Sequence, residues 1–202
     1  MLTITENDTN TVQNLFSQIS PVTEPDIKEV CSLLKKKQYH KSEKILNIGQ
    51  TETCINFVIK GIVHIYTFVE DEVFTINISL PGMLFNSLDS YIYNRPTLEI
   101  QEVITDVEIL CLEKKDVETL LRHNNTFCYV YAKLFEQVLN MREQRTLLLQ
   151  YKSAFKRFEN FTQNIASAER YLQEVPQKII AQYLGLAPET YCRVKKQLLK
   201  KK

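Results

Sequence analysis

The sequence predicts an α+β protein: an antiparallel β-roll of the cupin-like jelly-roll type, then a long helix, then an all-α helix-turn-helix domain. Three observations predict this order. From Tyr39 to Leu112 short apolar runs follow a period of two, as strands do. A stretch without glycine or proline follows at 126–152, and short helical patterns occupy the C-terminal part. With 202 residues the chain is long enough to bury a core and to hold more than one module.

The N-terminal part, residues 10–37, predicts two helices separated at Ser20-Pro21. Apolar residues such as Val12 and Ile27 recur at helical spacing on either side of this break. Lys35–Lys37 is expected to end the second helix, because positive charge is favourable at a helix C-terminus.

The middle part predicts the roll. Its short runs, for example IVHIYTFV and VFTINISL, are rich in β-branched and aromatic residues. Gly49, Gly61 and Gly82 separate the runs where tight turns are needed. Several short strands with regular turns favour an antiparallel roll or barrel.

A short helix at 114–122 and a long one at about 126–152 are predicted next. Within the long helix, four apolar residues fall at every seventh position: Phe127, Leu134, Met141 and Leu148. This spacing is typical of a coiled-coil seam, and we expect it to form the interface of a homodimer. The alternative is a helix that packs on its own domain.

The segment Gln177–Leu198 predicts a helix-turn-helix. Ala181 is small enough to let two helices cross closely, and Gly185, four residues later, permits a turn with positive φ. Pro188 is tolerated in the first turn of the second helix. The alternative is an ordinary helical hairpin at a chain end.

Polar and basic residues on this segment predict contacts to DNA bases and phosphates. The residues expected to bind DNA are Gln177, Lys178, Pro188, Glu189, Thr190, Arg193, Lys196 and Lys200. Lys201 and Lys202 extend the basic end of the chain.

Charge is unevenly distributed along the chain. Residues 1–149 carry 14 Lys and Arg against 20 Asp and Glu, whereas residues 150–202 carry 11 against 4. The overall charge of +1 therefore hides a basic C-terminal segment, which we expect to be the part that meets a polyanion.

Several classes of protein are disfavoured by composition. The sequence has no apolar run long enough for a membrane span and no signal-peptide pattern at its start, so a cytoplasmic protein is expected. Five scattered cysteines form no CxxC pair, and we expect no metal and no cofactor. A cupin-type metalloenzyme would need two or three histidines in the roll, but His64 is the only one among the strands proper. We therefore expect no enzyme activity.

Two segments resemble the Crp/Fnr family of bacterial transcription regulators, and in module order the resemblance covers nearly the whole chain. KILNIGQTETCINFVIKGIVHIYTF resembles the cyclic-nucleotide-binding roll of this family, and APETYCRVKKQL is similar to its recognition helix. The resemblance implies a homodimer on a two-fold symmetric DNA site, with an unidentified small-molecule effector and RNA polymerase as partners. Glu189 and Arg193 match the base-reading Glu and Arg of the family. The Arg that precedes this Glu in the best-known members is Pro188 here, so a different base preference is expected.

The chain departs from the nucleotide-binding members in the roll. Their Gly-Glu pair, which binds the ribose, falls on Asn86-Ser87, and their Arg-Ser or Arg-Thr pair, which binds the cyclic phosphate, falls on Thr97-Leu98. Arg95 could replace the missing arginine only after a shift of two residues. Ser87, Arg95 and Thr97 are therefore the candidate effector-binding residues, and we expect that cyclic AMP does not bind. A β-wing after the recognition helix is also not expected.

The sequence thus predicts a β-roll sensor domain at 1–123, a dimerisation and linker helix at 124–152, and a DNA-binding domain at 153–202. The expected function is that of a homodimeric transcription regulator. The alternative is a small-molecule sensor or interaction protein that uses the roll without specific DNA binding.

Overall fold

The computed structural model describes residues 2–200 and confirms the predicted α+β fold. These residues group into two compact units. The first unit holds the chain up to Ile65 together with Ser79–Glu136, and the second holds Tyr66–Ile78 together with the chain from Gln137 onward. These units differ from the three functional regions predicted from the sequence, whose boundaries lie at residues 123 and 152. Along the described chain, every helix is too short or too polar to cross a lipid bilayer.

Two helices open the first unit, α1 (Glu6–Ser17) and α2 (Glu24–Leu33). Both begin earlier than their apolar spacing indicates, because each is preceded by a capping box. At α1 the Thr5 hydroxyl accepts the Asp8 N–H at 3.3 Å, while the Asp8 carboxylate accepts the Thr5 N–H at 2.9 Å. Thr23 starts α2 in the same way.

The prediction that Lys35–Lys37 ends the second helix is wrong. These lysines begin strand β1 (Lys35–Tyr39), which pairs antiparallel with β8 (Val107–Glu113). Lys36 Nζ lies 3.0 Å from Asp8 Oδ1 and 3.0 Å from Glu108 Oε2. The positive charge of Lys36 is therefore balanced by carboxylates of neighbouring elements and not by a helix dipole.

The roll is made of two four-stranded sheets, in the orders β1-β8-β3-β6 and β2-β7-β4-β5. Its remaining strands are β2 (Lys44–Leu46), β3 (Cys54–Lys60), β4 (Val63–Val69), β5 (Glu72–Ser79), β6 (Leu84–Phe85) and β7 (Ile100–Val103). The pairings of β1 and β3 with β8 are antiparallel, as are those of β2 with β7 and β3 with β6. The predicted antiparallel roll is confirmed.

Gly61 makes the turn between β3 and β4 possible. Its φ is +85°, and a Cβ atom at this position would lie 2.2 Å from the Asp106 carbonyl oxygen. Any other residue would therefore meet both backbone strain and a steric clash.

Helices cover one face of the first sheet. They are α3 (Leu88–Tyr93), α4 (Lys114–His123) and α5 (Asn125–Leu149), together with α1 and α2. The core that they share with the sheet includes Phe16 of α1, Val30 of α2, Leu110 of β8, Leu120 of α4 and Phe127 of α5. Burial of these side chains holds the first unit together.

The seam predicted on α5 faces inward. Phe127 and Leu148 are buried, while Leu134 and Met141 are half-buried. Phe127 and Leu134 pack into the core of the first unit. Two of the four seam residues are thus buried within their own chain and two remain partly exposed, and the dimer seam stays a prediction. The exposed large apolar residues of the helix are Tyr129, Leu139 and Leu147.

An aromatic core holds the second unit together. Its helices are α6 (Ala154–Asn164), α7 (Ala168–Glu174), α8 (Gln177–Tyr183) and α9 (Pro188–Leu199). Phe161 and Tyr171 stack with ring centroids 6.3 Å apart, and Tyr171 meets Tyr183 edge to face at 5.6 Å. Phe158 and Tyr191 form another edge-to-face pair at 5.5 Å. Aromatic pairs of this kind add to the stabilisation from burial.

A strand hairpin belongs to this second unit. The Arg145 guanidinium lies 5.3 Å from the Phe74 ring centre and 4.7 Å from that of Tyr183. It donates hydrogen bonds to the carbonyl oxygens of Tyr183, at 3.3 Å, and of Thr75. The Tyr171 hydroxyl donates to the Ile78 carbonyl oxygen at 2.8 Å. The outer parts of β4 and β5 are therefore fixed to the helices of this unit.

Candidate nucleic-acid interface and the cassette of the roll

The helix-turn-helix is formed by α8 and α9. Ala181 is fully buried, as a close helix crossing requires, and its carbonyl oxygen accepts the Leu186 N–H at 2.9 Å. Gly185 has a φ of +59°, and a Cβ atom there would lie 3.2 Å from Arg157 Nη1. The turn thus needs glycine for its backbone conformation and leaves little room for a side chain.

Arg157 of α6 clamps this turn, a role that sequence reasoning missed. Its Nη1 donates to the carbonyl oxygens of Leu184 at 2.8 Å and Gly185 at 3.0 Å. Its Nε and Nη2 donate to the Tyr151 carbonyl oxygen at 3.1 and 2.7 Å. One guanidinium therefore satisfies carbonyl groups at the end of α8 and before α6.

The apolar side of α9 fixes which face points outward. Tyr191 and Val194 are buried, and burial raises the pKa of Tyr191 to about 12. Pro188 stands in the first turn, as predicted, with Ala187 as the N-cap residue. The rest of the helix surface is left to polar and basic side chains.

The residues predicted to bind DNA lie on this polar surface. Seven of them are exposed, namely Gln177, Lys178, Pro188, Glu189, Arg193, Lys196 and Lys200, and Thr190 is half-buried. Lys201 and Lys202 lie outside the described residues. Pro188, Glu189, Arg193, Lys196 and Lys200 line one shallow hollow along α9, together with Cys192 and Gln197. Glu189 and Arg193, which are four residues apart, stand on the same face of the helix.

The candidate effector residues lie in a segment of the roll, residues 86–98, that we call the cassette. Ser87 and Thr97 are 1% and 2% exposed, and their hydroxyl oxygens are 2.7 Å apart, hydrogen-bonded to each other. They stand where nucleotide-binding members of the Crp/Fnr family are expected to carry Glu and Arg. A neutral pair of hydroxyl groups thus replaces two charged groups.

Arg95 is not brought to this pair. Its Nε donates to Asp89 Oδ2 at 2.6 Å, and its guanidinium carbon lies 5.2 Å from the centre of the exposed Tyr93 ring. Both partners of the Arg95–Asp89 ion pair are more than half exposed. The structure therefore unites Ser87 and Thr97 and leaves Arg95 at the surface.

A buried carboxylate, also missed from the sequence, lies beside the cassette. Glu52 is 6% exposed and accepts hydrogen bonds from the Ser87 N–H at 3.3 Å and from Gln101 Nε2 at 2.8 Å. Burial raises the pKa of Glu52, while its N–H donors act in the opposite direction.

Metal-binding groups are not gathered in the part of the chain that the structure describes. Within residues 2–200, no three His, Cys, Asp or Glu side chains stand close enough to share a metal ion. The five cysteines are free thiols. His64 is buried in β4, and burial lowers its pKa to about 4.

Comparison with known proteins agrees with this architecture. Residues 36–124 match the model of the cyclic nucleotide-binding domain. FixK2 from Bradyrhizobium japonicum has a similar structure, with a TM-score of 0.69 and 21% identity over 83% of this chain and 85% of its own. A mutant of CooA from Carboxydothermus hydrogenoformans has a TM-score of 0.68 and 18% identity over 98% and 86%. Catabolite activator protein from Thermus thermophilus has a TM-score of 0.53 and 20% identity over 93% and 87%. No curated protein matches the chain.

These matches define the class. Residues 36–124 are similar to the cyclic nucleotide-binding domain, and the described chain has the Crp/Fnr fold, so the resemblance seen in the sequence is confirmed at the level of the fold.

Proposed function

We propose that the chain is a homodimeric, sequence-specific DNA-binding transcription regulator of the Crp/Fnr type, with a roll that lacks the usual cyclic-nucleotide ligands. The observation that carries this proposal is the exposed hollow of α9 that Glu189, Arg193 and Lys196 line. An exposed helix that presents an acid, an arginine and a lysine on one face suits the major groove.

The polar groups of α8 and α9 each have a chemical role in this proposal. The Arg193 guanidinium donates to O6 and N7 of a guanine, and Glu189 accepts from N4 of a cytosine. Lys178 and Lys196 contact phosphates, and Gln177, Thr190 and Lys200 complete the contact surface. Two copies of α9 enter successive major grooves about 34 Å apart.

The dimer in this proposal uses α5. Since Phe127 and Leu148 are buried within their own chain, we place the interface on the opposite face of the helix, where Tyr129 and Leu139 are 51% and 57% exposed. Burial of these side chains against a second copy removes apolar surface from water. RNA polymerase and an unidentified small-molecule effector are the further partners compatible with the proposed role.

Selection of bound sequences from random DNA with the purified protein tests the function. We expect enrichment of a two-fold symmetric motif with half-sites about one helical turn apart, and an affinity that falls steeply with salt. The control is the double variant Glu189→Ala, Arg193→Ala, which should lose the motif and keep weak binding to all DNA. Absence of any enriched motif would favour the alternative, a sensor or interaction protein that does not read DNA sequence.

A further inference from the structure

Glu52 is held in an unusual way for a buried acid. Its Oε1 accepts the Cys54 N–H at 3.1 Å, and its Oε2 accepts the Ser87 N–H at 3.3 Å and Gln101 Nε2 at 2.8 Å. Its own N–H donates to Ser90 Oγ at 2.9 Å. Both oxygens thus meet hydrogen-bond donors, which is the surrounding that an anion requires.

The positive partner usual for a buried acid is missing from this set. Among residues 2–200, no lysine, arginine or histidine forms an ion pair with Glu52. Backbone N–H groups and one side-chain amide hold the carboxylate instead. A second anion at the same donors would meet a like charge without a cation to offset it.

The donors that Glu52 uses come from β3, from β7 and, in the case of Ser87, from the cassette. Ser87 supplies its N–H to Glu52 and its hydroxyl to the pair with Thr97. Gln101 lies on β7. Ser90 of α3 accepts the Glu52 N–H and donates its own hydroxyl to the Arg95 carbonyl oxygen at 2.5 Å. The Ser87 N–H, which lies where the resemblance places the ribose-binding Glu, is therefore already occupied.

Two buried polar atoms of Asn86 and Gln101 lack a hydrogen-bond partner within residues 2–200. Asn86 Nδ2 and Gln101 Oε1 are buried and have no hydrogen-bond partner among the described residues. Unpaired buried polar atoms of this kind are rare in folded proteins. Asn86 precedes Ser87 in the chain and Gln101 donates to Glu52 through its Nε2, so both unpaired atoms belong to residues next to or in contact with the Glu52 hydrogen bonds.

We propose that the Glu52 carboxylate is an internal anion that occupies the N–H donors of Cys54, Ser87 and Gln101 and so excludes anionic ligands, cyclic nucleotides included, from this end of the roll. The inference deepens the proposed function, on which it rests, by naming the residue that sets ligand specificity. It assigns the roll to uncharged or cationic effectors, or to none.

Chemical rescue tests the proposal. Glu52→Ala empties the donor set, so formate at about 0.5 M should raise the Tm of this variant by about 3 °C relative to chloride of the same ionic strength. Formamide, which has nearly the same size but no charge, should not raise it. The wild-type protein, whose donors are occupied, should show no difference between formate and chloride.

The matched control is Glu43→Ala. Glu43 is exposed and accepts one backbone N–H, from His40 at 2.6 Å, so its removal leaves no buried donor set. Equal shifts by formate in both variants, or equal rescue of Glu52→Ala by formate and formamide, would overturn the proposal.

If Glu52→Ala does not fold, Glu52→Gln is used in its place. We expect the Tm of Glu52→Gln to be lower than that of the wild type at pH 7. A Tm equal to that of the wild type would also overturn the proposal.

These measurements use thermal unfolding without DNA. Failure to find a DNA motif would therefore contradict the proposed function and leave the result for Glu52 unchanged.

Discussion

Arg193 and Lys196 stand in one hollow of α9 and differ in the contact that each is expected to make. Arg193→Ala should cost about 1–3 kcal/mol on the preferred site and relax selectivity at one symmetric pair of positions. Lys196→Ala should weaken binding to all sequences about equally and lower the salt slope by roughly one for each phosphate that the lysine no longer neutralises. Competition binding with specific and random DNA at several salt concentrations measures both effects.

The two variants serve as controls for each other. If Arg193 only pairs with Glu189 on a solvated face, Arg193→Ala would leave the ratio of specific to random-DNA affinity unchanged. That outcome would refute its role in reading bases.

His64 is expected to make stability depend on pH. Burial lowers its folded-state pKa to about 4 from an unfolded value of 6.5. As pH falls from about 6.5 to 4, the unfolded chain takes up this proton and the folded chain does not, so the free energy of unfolding decreases. At pH 5 the loss from this group is about 2 kcal/mol relative to pH 7.

Urea denaturation at pH 7 and pH 5 measures this loss. His64→Gln should show a drop smaller by about 2 kcal/mol than the wild type. His40→Gln is the control, because the side chain of His40 is 88% exposed. An equal drop in all three proteins would show that His64 does not titrate as a buried group.

For single residues, the sequence predicts which side chains of α9 are exposed, but it does not predict the hydrogen-bond partners of Glu52 and Arg157. The outer residues of α9 follow from helical periodicity, because Tyr191 and Val194 define the inner face. Glu52 and Arg157 carry no such signal. Several of their partners are distant in sequence. The Ser87 N–H lies 35 residues from Glu52 and the Gly185 carbonyl oxygen 28 residues from Arg157, and a single sequence does not encode which segments meet.

The hairpin of β4 and β5 depends on one residue of α5. Arg145→Ala removes hydrogen bonds to the carbonyl oxygens of Thr75 and Tyr183 and the stacking on Phe74. We expect the free energy of unfolding of the second unit to fall by about 2–3 kcal/mol. Arg145→Lys should recover less than half of this loss, since one ammonium group cannot reproduce the planar fork of arginine.

Urea unfolding followed by circular dichroism measures these changes. Arg142→Ala is the matched control, because Arg142 lies on the same helix and is exposed. If Arg142→Ala and Arg145→Ala lowered stability equally, the contacts of Arg145 to the hairpin would contribute nothing specific.

Among the elements, the roll and the long helix were predictable because their apolar periods of two and of seven are strong signals. The seven-residue stripe does not by itself identify what packs against the helix. Such a stripe reports that one helix face is covered, and it does not report whether the cover is the same chain or a second copy. The three lysines before Gln38 were misread because their carboxylate partners are distant in sequence, as in the pair of Lys36 with Glu108.

For the whole molecule, the proposed interface separates two faces of α5. Leu139→Glu should convert the dimer to a monomer in light scattering without lowering the Tm of the chain itself, because Leu139 is exposed. Leu134→Glu should instead destabilise the first unit, whose core contacts Leu134. The reverse result, a folded monomer with Leu134→Glu and an unchanged dimer with Leu139→Glu, would restore the heptad seam as the interface.

The hairpin Tyr66–Ile78 also sets the order in which the chain can fold during synthesis. The second unit is discontinuous, since this hairpin leaves the ribosome about 60 residues before Gln137 and well before the helices that it contacts. The contacts of Thr75 with Arg145 and of Ile78 with Tyr171 can form only after Arg145 and Tyr171 have left the ribosome. A fragment starting at Gln137 should consequently unfold at lower temperature than the same helices in the full chain, and a synthetic peptide of residues 66–78 should stabilise it. Translation of residues 137–202, and not of the roll, is therefore the step that completes the second unit.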